Sequence, residues 1–230
     1  MGGRLKGWSP LALWGQHAQW PWFCPDDRAH GDFCCGGQPP DMRHRGHQML
    51  EKVTADHPPA DRLIATDRFQ LRPVRKSDAG LFAMYAGDRR VAEATQGIPH
   101  PFPPGAAEAF IARAMATGRD EDIWVMDGTP SGLAEVLGVI SLKAMDRGQS
   151  EVAFWVAPAF WNLGLASEAV QALVAANPQG NKTMFAEAFQ DNPRSARVLT
   201  NAGFQYLGDA ESFSVARNAR VPTWTYIRKL

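Results

Sequence analysis

Glu151-Val152-Ala153-Phe154-Trp155-Val156-Ala157-Pro158-Ala159-Phe160-Trp161-Asn162-Leu163-Gly164-Leu165-Ala166-Ser167-Glu168-Ala169 decides the reading of this chain. Residues 152–156 are β-branched, aromatic or small and read as a strand; Pro158 breaks it, and a helical pattern begins at Leu165. Gly164 and Ala166 are small where a backbone must pass close to a ligand. The N–H groups of a helix's first turn lack intrahelical partners and carry the positive end of the helix dipole. A strand–turn–helix of this kind therefore holds a phosphate or pyrophosphate without a cationic side chain. Leu165, Ala169, Val170, Leu173 and Val174 recur at helical spacing and anchor the turn to a sheet. A junction packed only for its own sake has the same spacing, so the pattern needs a companion.

The companion lies one strand later, in Asp191-Asn192-Pro193-Arg194-Ser195-Ala196-Arg197-Val198-Leu199-Thr200-Asn201-Ala202-Gly203-Phe204. Asn192 is a helix N-cap, Pro193 a first helical residue and Gly203 a stop. A packing helix explains all three, whereas Ser195 in the first turn also offers a hydroxyl to a ligand. No Gly-x-x-x-x-Gly-Lys-Ser/Thr, Gly-x-Gly-x-x-Gly, His-Glu-x-x-His or Gly-x-Ser-x-Gly is present.

Around these two elements the pattern is regular from about residue 63. Strands are expected at 68–74, 123–126, 136–142, 152–156, 183–189, 204–207, 213–216 and 223–228. Helices are expected after Ser77-Asp78 and over 106–115, 165–176 and 193–202. Gly128 and Arg147-Gly148 are placed as hairpin turns. This succession of strands and helices predicts an α/β (α+β) domain with a mixed, mostly antiparallel sheet.

The 230 residues carry 24 Lys+Arg against 24 Asp+Glu. A net charge of zero argues against bulk binding of nucleic acid or an anionic membrane, and no apolar run approaches the ~20 residues of a membrane span. Residues 1–62 read as an irregular, disordered extension, with 63–230 as the domain. The first 48 residues hold all three cysteines (Cys24, Cys34, Cys35), four of eight tryptophans and four of six histidines, without period. Met42 and Met49 each offer an alternative start, and no targeting signal is seen. Cys24, Cys34 or Cys35 with His44 and His47 form an alternative zinc set, which no Cys-x-x-Cys spacing supports. No metal is expected. The cysteine-free remainder suits a reducing, cytoplasmic setting.

Taken together, the elements of residues 63–230 resemble the GNAT acetyltransferase superfamily, in its branch of ribosomal-protein N-terminal acetyltransferases (RimJ/RimL-like). The resemblance is carried by the order and spacing of Leu71-Arg72-Pro73, Asp78, the Phe154-to-Pro158 run, Trp161-x-x-Gly164-x-Ala166 and Asn192-x-x-Ser195…Gly203-Phe204. It implies a sheet splayed between its central strands and transfer of an acetyl group from acetyl-CoA to a primary amine by direct attack. Phe154, Trp155 and Val156 would pair with the pantetheine arm. Trp161, Asn162, Leu163, Gly164, Leu165 and Ala166 would cradle the pyrophosphate, and Asn192 and Ser195 would lie beyond it.

The sequence departs from that family at two positions: Leu163 stands where Lys or Arg is usual, and Leu199 where a general-acid tyrosine often sits. Ser195 is the branch's alternative proton donor to the leaving thiolate. Glu151, Glu187 and Glu211 are the candidate bases, each also readable as a solvated strand residue. An α-amine with pKa near 8 is ~10% neutral at pH 7, a lysine only ~1 in 2,500, so a weak base suits α-amines or small amines of lowered pKa. The acceptor, a peptide N-terminus or small amine, would enter between the first two helices, the Pro-rich loop with His100, and the last hairpin. Asp88, Glu93 and Glu108 are candidates to meet its charge. A monomer or homodimer is expected. The alternative reading, motivated by Leu163 and Leu199, is a non-catalytic CoA-binding or protein-binding module of the same fold.

Overall fold

The computed structural model describes residues 63–230. The expected extension at 1–62, with the zinc alternative built on its cysteines and histidines, lies outside the described residues. In chain order the elements are β1 (Ile64–Ala65), β2 (Gln70–Pro73), α1 (Ala79–Ala86), α2 (Arg89–Glu93), α3 (Ala106–Ala114), β3 (Glu121–Asp127), β4 (Gly138–Met145) and β5 (Gln149–Val156). After them come α4 (Leu165–Ala176), β6 (Thr183–Phe189), α5 (Pro193–Asn201), β7 (Gln205–Ser214) and β8 (Ala219–Lys229). Among the described residues no helix is long and apolar enough to cross a membrane.

The eight strands form one sheet in the order β1-β2-β3-β4-β5-β6-β8-β7. Every pairing is antiparallel except β5 with β6, which are joined by α4 as a crossover. The sheet is buried on both faces in its middle, which explains the unbroken apolar run of β3. Trp124 and Met126 enter one core with Ile140, Leu142, Val152 and Met184, beneath Leu165, Val170, Leu173 and Leu199 of α4 and α5. Ile123 and Val125 enter the other with Val139, beneath Phe82, Ala86, Phe110 and Ile111 of α1 and α3.

The parallel ladder is short. It runs from Gln149↔Thr183 to Val152↔Ala186 and then stops, although β5 continues to Val156 and β6 to Phe189. Past that point the two strands part, as expected for the central pair, and the sheet opens into a wedge.

Several expectations are corrected. The two strands expected at 204–207 and 213–216 are one ten-residue strand, β7, pairing with β8 through an irregularity between Tyr206 and Gly208. Its polar middle stays in the ladder because β7 is an edge strand, half in water. A short helix not expected, α2, follows α1; Asp88 caps it by accepting from the Arg90 N–H at 2.9 Å. The run after Gly128 is a loop, with its strand starting at Gly138 rather than 136. Arg147-Gly148 does form the β4–β5 turn, both residues at positive φ. Asp78 does not cap α1 by its side chain. Its carboxylate accepts from the Arg75 N–H at 2.7 Å and pairs with the fully buried Arg72 guanidinium at 2.8 and 2.9 Å, which Asp127 holds from the other side at 2.9 Å.

Candidate active site

The wedge between β5 and β6 is a cleft that runs through the sheet. Asn192 and Ser195 line it at the α5 side, Phe154, Trp155 and Ala188 at its waist, and Glu121, Glu151 and Glu187 toward α1 and α3. Strand alternation explains how one edge of β5 stays open. The Ala157 N–H donates to Leu137 O at 2.9 Å, on the β4 side, so residues two and four back turn the same way. The backbone groups of Phe154 and Val156 therefore turn to the edge that β6 has left. Val156 O is taken by the Trp161 indole N–H at 2.6 Å, which ties the turn to the strand, while Phe154 presents N–H and C=O to the cleft.

After Val156 the chain makes one 3-10 turn, Pro158–Phe160, and then two left-handed residues, Asn162 (φ 64°) and Gly164 (φ 79°), on either side of Leu163. Left-handed residues next to helical ones turn successive N–H groups inward to form an anion-binding hollow. Gly164 is the N-cap of α4, so the N–H groups of Leu165, Ala166 and Ser167 have no partner within the helix. The Leu165 side chain is buried in the core, and its contribution to the hollow is its backbone. Leu163 points outward, 55% exposed. The Trp161 ring packs against both cores, with the Arg90 guanidinium 5.5 Å from its centroid. The donor set, backbone N–H groups around a glycine that must be left-handed, fits a pyrophosphate.

At the start of α5, Asn192 holds Ser195 twice: its Oδ1 accepts the Ser195 N–H at 3.3 Å and its Nδ2 donates to Ser195 Oγ at 3.0 Å. On the opposite side, Glu121 and Glu151 stand in one row of the sheet with Lys143 between them. Burial is the main cause that pushes the Glu151 carboxyl from 4.5 up to about 7; the charges of Glu187 and Glu121 add to it and Lys143 opposes. Burial likewise raises Glu121, against a hydrogen bond from Ser141. Glu187 accepts from Gln96 Nε2 at 2.9 Å and from the Ser212 hydroxyl.

The structure thus brings together Phe154, Trp155, Asn192, Ser195, Glu151 and Glu187 of the residues expected at the site, and places the 161–166 turn at the N-terminus of the adjoining α4. It does not bring Glu211, which is exposed on β7 and absent from the cleft wall; its neighbour Ser212 reaches Glu187 instead. Asp88 and Glu93 are engaged by Arg90 and Arg89, Glu108 is exposed, and His100 lines a separate shallow hollow beside α3. The carboxylates of the cleft are Glu121, Glu151 and Glu187. Glu121, Gln96 and Ser212 had no sequence signal, because each is a lone polar residue on a different element.

Residues 68–205 match the family described as the acetyltransferase (GNAT) domain. No curated protein matches the chain. Among solved structures, the fold is similar to the ribosomal-protein-S5-alanine acetyltransferase from Vibrio fischeri (TM-score 0.63, 18% identity, covering 74% of this chain and 97% of that one). It is also similar to RimL, a ribosomal L7/L12 α-N-protein acetyltransferase in complex with coenzyme A (0.61, 14%, 74% and 98%). A third likeness is the microcin C7 self-immunity acetyltransferase MccE in complex with acetyl-CoA and AMP (0.62, 14%, 71% and 93%). With more than half of its length matched by the family and the splayed sheet in place, the chain belongs to the GNAT acetyltransferases.

Proposed function

We propose that this protein transfers an acetyl group from acetyl-CoA to a primary amine, by direct attack with both substrates bound. One observation carries the reading: the cleft crosses the sheet, joining the Asn192–Ser195 side to the Glu151–Glu187 side where β5 and β6 part. Acetyl-CoA supplies the thioester. The 161–166 turn holds its pyrophosphate, and the exposed edge of β5 at Phe154 holds the arm and polarises the carbonyl. Glu151, poised near neutrality, accepts the amine proton, and Ser195 protonates the leaving thiolate. The solved relatives that act on ribosomal proteins support the RimJ/RimL-like branch, and with it a peptide N-terminus or a small amine as acceptor. A cytoplasmic location accords with that branch.

Calorimetric titration of the full chain with acetyl-CoA, with ATP as control, tests the donor. Micromolar binding of acetyl-CoA and none of ATP is the expected result. A folded protein that binds no CoA species contradicts the proposal. CoA binding without turnover on any of a panel of peptides and small amines would favour the non-catalytic reading, for which the loss of a cation at Leu163 is the motive.

A further inference from the structure

Arg68 lies outside the cleft, yet it makes one contact to the turn that the proposed function assigns to the pyrophosphate and two to Glu168 in the first turn of α4. Its Nη1 donates to Leu163 O at 2.7 Å, its Nε to Glu168 Oε2 at 2.7 Å and its backbone N–H to Glu168 Oε1 at 2.9 Å. The residue is presented by a fixed turn: Thr66 and Phe69 exchange backbone and hydroxyl hydrogen bonds at 2.7 to 3.1 Å, and the Phe69 ring is buried in the core. An ion pair this exposed contributes little to stability. Its place points elsewhere.

Two consequences follow from the geometry. In a trans peptide the C=O and the next N–H point in opposite directions. Capturing Leu163 O on the Arg68 side therefore aims the Gly164 N–H to the other side. A Cβ at Gly164 would sit 3.5 Å from Arg68 Nη2, so the guanidinium is packed directly against the turn. Secondly, Glu168 is the one acidic residue in the first turn of α4, close to where a pyrophosphate would rest. Burial alone would raise its carboxyl, but hydrogen bonds from Thr66 and Arg68 outweigh that and hold it below its ordinary value, ionised. That charge repels an anion unless a cation cancels it, and Arg68 is the cation in contact.

We propose that Arg68 is a positioning residue for acetyl-CoA: it orients the Leu163–Gly164 peptide toward the pyrophosphate and cancels the charge of Glu168. It thereby removes, from behind the turn, a repulsion that no cation at Leu163 is there to offset. The inference rests on the reading of the 161–166 turn given under the proposed function.

The test compares two acyl donors, acetyl-CoA and S-acetylpantetheine, which carries the same thioester and arm but no phosphate. Binding of acetyl-CoA to the full chain is measured by calorimetry, and that of S-acetylpantetheine at millimolar concentration by its thermal shift. Arg68→Ala is expected to weaken acetyl-CoA about tenfold, the order of one charge-assisted hydrogen-bonding group, and to leave the S-acetylpantetheine shift unchanged. Adding Glu168→Gln to Arg68→Ala should restore part of the loss, which a purely structural Arg68 would not allow. Unchanged acetyl-CoA affinity in Arg68→Ala, or equal weakening toward both donors, overturns the proposal. If wild-type protein binds acetyl-CoA no better than S-acetylpantetheine, the turn does not hold a pyrophosphate and the underlying reading fails first.

Discussion

Asn192 Nδ2 donates to Ser195 Oγ across 3.0 Å, in the first turn of α5 and at the wall of the cleft. Because Ser195 accepts in that contact, its own O–H is left to donate, the polarity that protonation of a departing thiolate requires. The same asparagine caps the helix through Oδ1, so one side chain performs a structural task and an orienting one.

Ser195→Ala separates those tasks from the chemistry. The variant should lose on the order of 10²-fold in kcat, the scale of one general acid, while Tm and acetyl-CoA affinity stay close to wild type. Asn192→Ala removes the cap as well and should also cost about 1 kcal/mol, read as a Tm lower by roughly 2–4 °C. Wild-type kcat in Ser195→Ala would remove the serine from the mechanism.

In the proposed mechanism Glu151 sets the pH dependence. As a base it must be ionised, so kcat at saturating amine should rise about tenfold per pH unit below a bend near the carboxyl's value of about 7, then level off. Glu151→Gln should be slow at every pH and lack that bend, while titration of the acceptor amine itself persists. Stability should move the opposite way. A carboxyl raised in the folded protein keeps its proton there while the unfolded chain has lost it, so stability falls as pH rises from 4.5 to about 7. Glu151→Gln removes that slope and should be more stable than wild type at pH 8, by about 1 kcal/mol. Chemical denaturation at pH 5 and pH 8 reads the difference; an unchanged slope would deny the raised carboxyl.

Gly164 carries the turn at φ 79°, a conformation L side chains rarely adopt. Gly164→Ala should weaken acetyl-CoA binding and cost about 1 kcal/mol from backbone strain alone. Gly164→Trp should abolish binding, since its Cβ would start 3.5 Å from Arg68 Nη2 and the indole would force the turn and its N–H groups out of place. Calorimetry on both variants checks this, and wild-type affinity in Gly164→Trp would remove the turn from the cofactor site.

Arg72 is the buried counterpart of the exposed Arg68. Its guanidinium is fully enclosed between Asp78 and Asp127, joining β2, the turn before α1 and the end of β3. Asp78→Ala leaves a buried charge half-satisfied and should lose about 3 kcal/mol, a fall in Tm on the order of 10 °C. Acetyl-CoA affinity of the remaining folded protein should not change. A drop in affinity with unaltered Tm would mean that the network serves the site rather than the fold.

How much of this was legible in the sequence depends on how local each feature is. The observed α4 and β6 have the expected bounds, 165–176 and 183–189, and α5 ends one residue early. Strong helical spacing met clear punctuation there, at Gly164, Asn192-Pro193 and Gly203. The half of the site proposed for the cofactor lies in two continuous stretches, so its residues could be named together. The half proposed for the acceptor is assembled from Gln96 in a loop, Glu121 on β3, Glu151 on β5, Glu187 on β6 and Ser212 on β7, and only the sheet order makes them neighbours. Glu211 was named for the same reason that Ser212 was missed. Their strand reads as two strands parted by a polar turn, so it carries no clear alternation to show which face each residue takes. The five residues of α2 are too few to show a period.

The most direct measurement of the central claim is a calorimetric titration of acetyl-CoA into the full chain, run beside ATP and S-acetylpantetheine. A micromolar dissociation constant for acetyl-CoA, weaker binding of S-acetylpantetheine and none of ATP is the expected result. A folded protein that leaves acetyl-CoA unbound would contradict it.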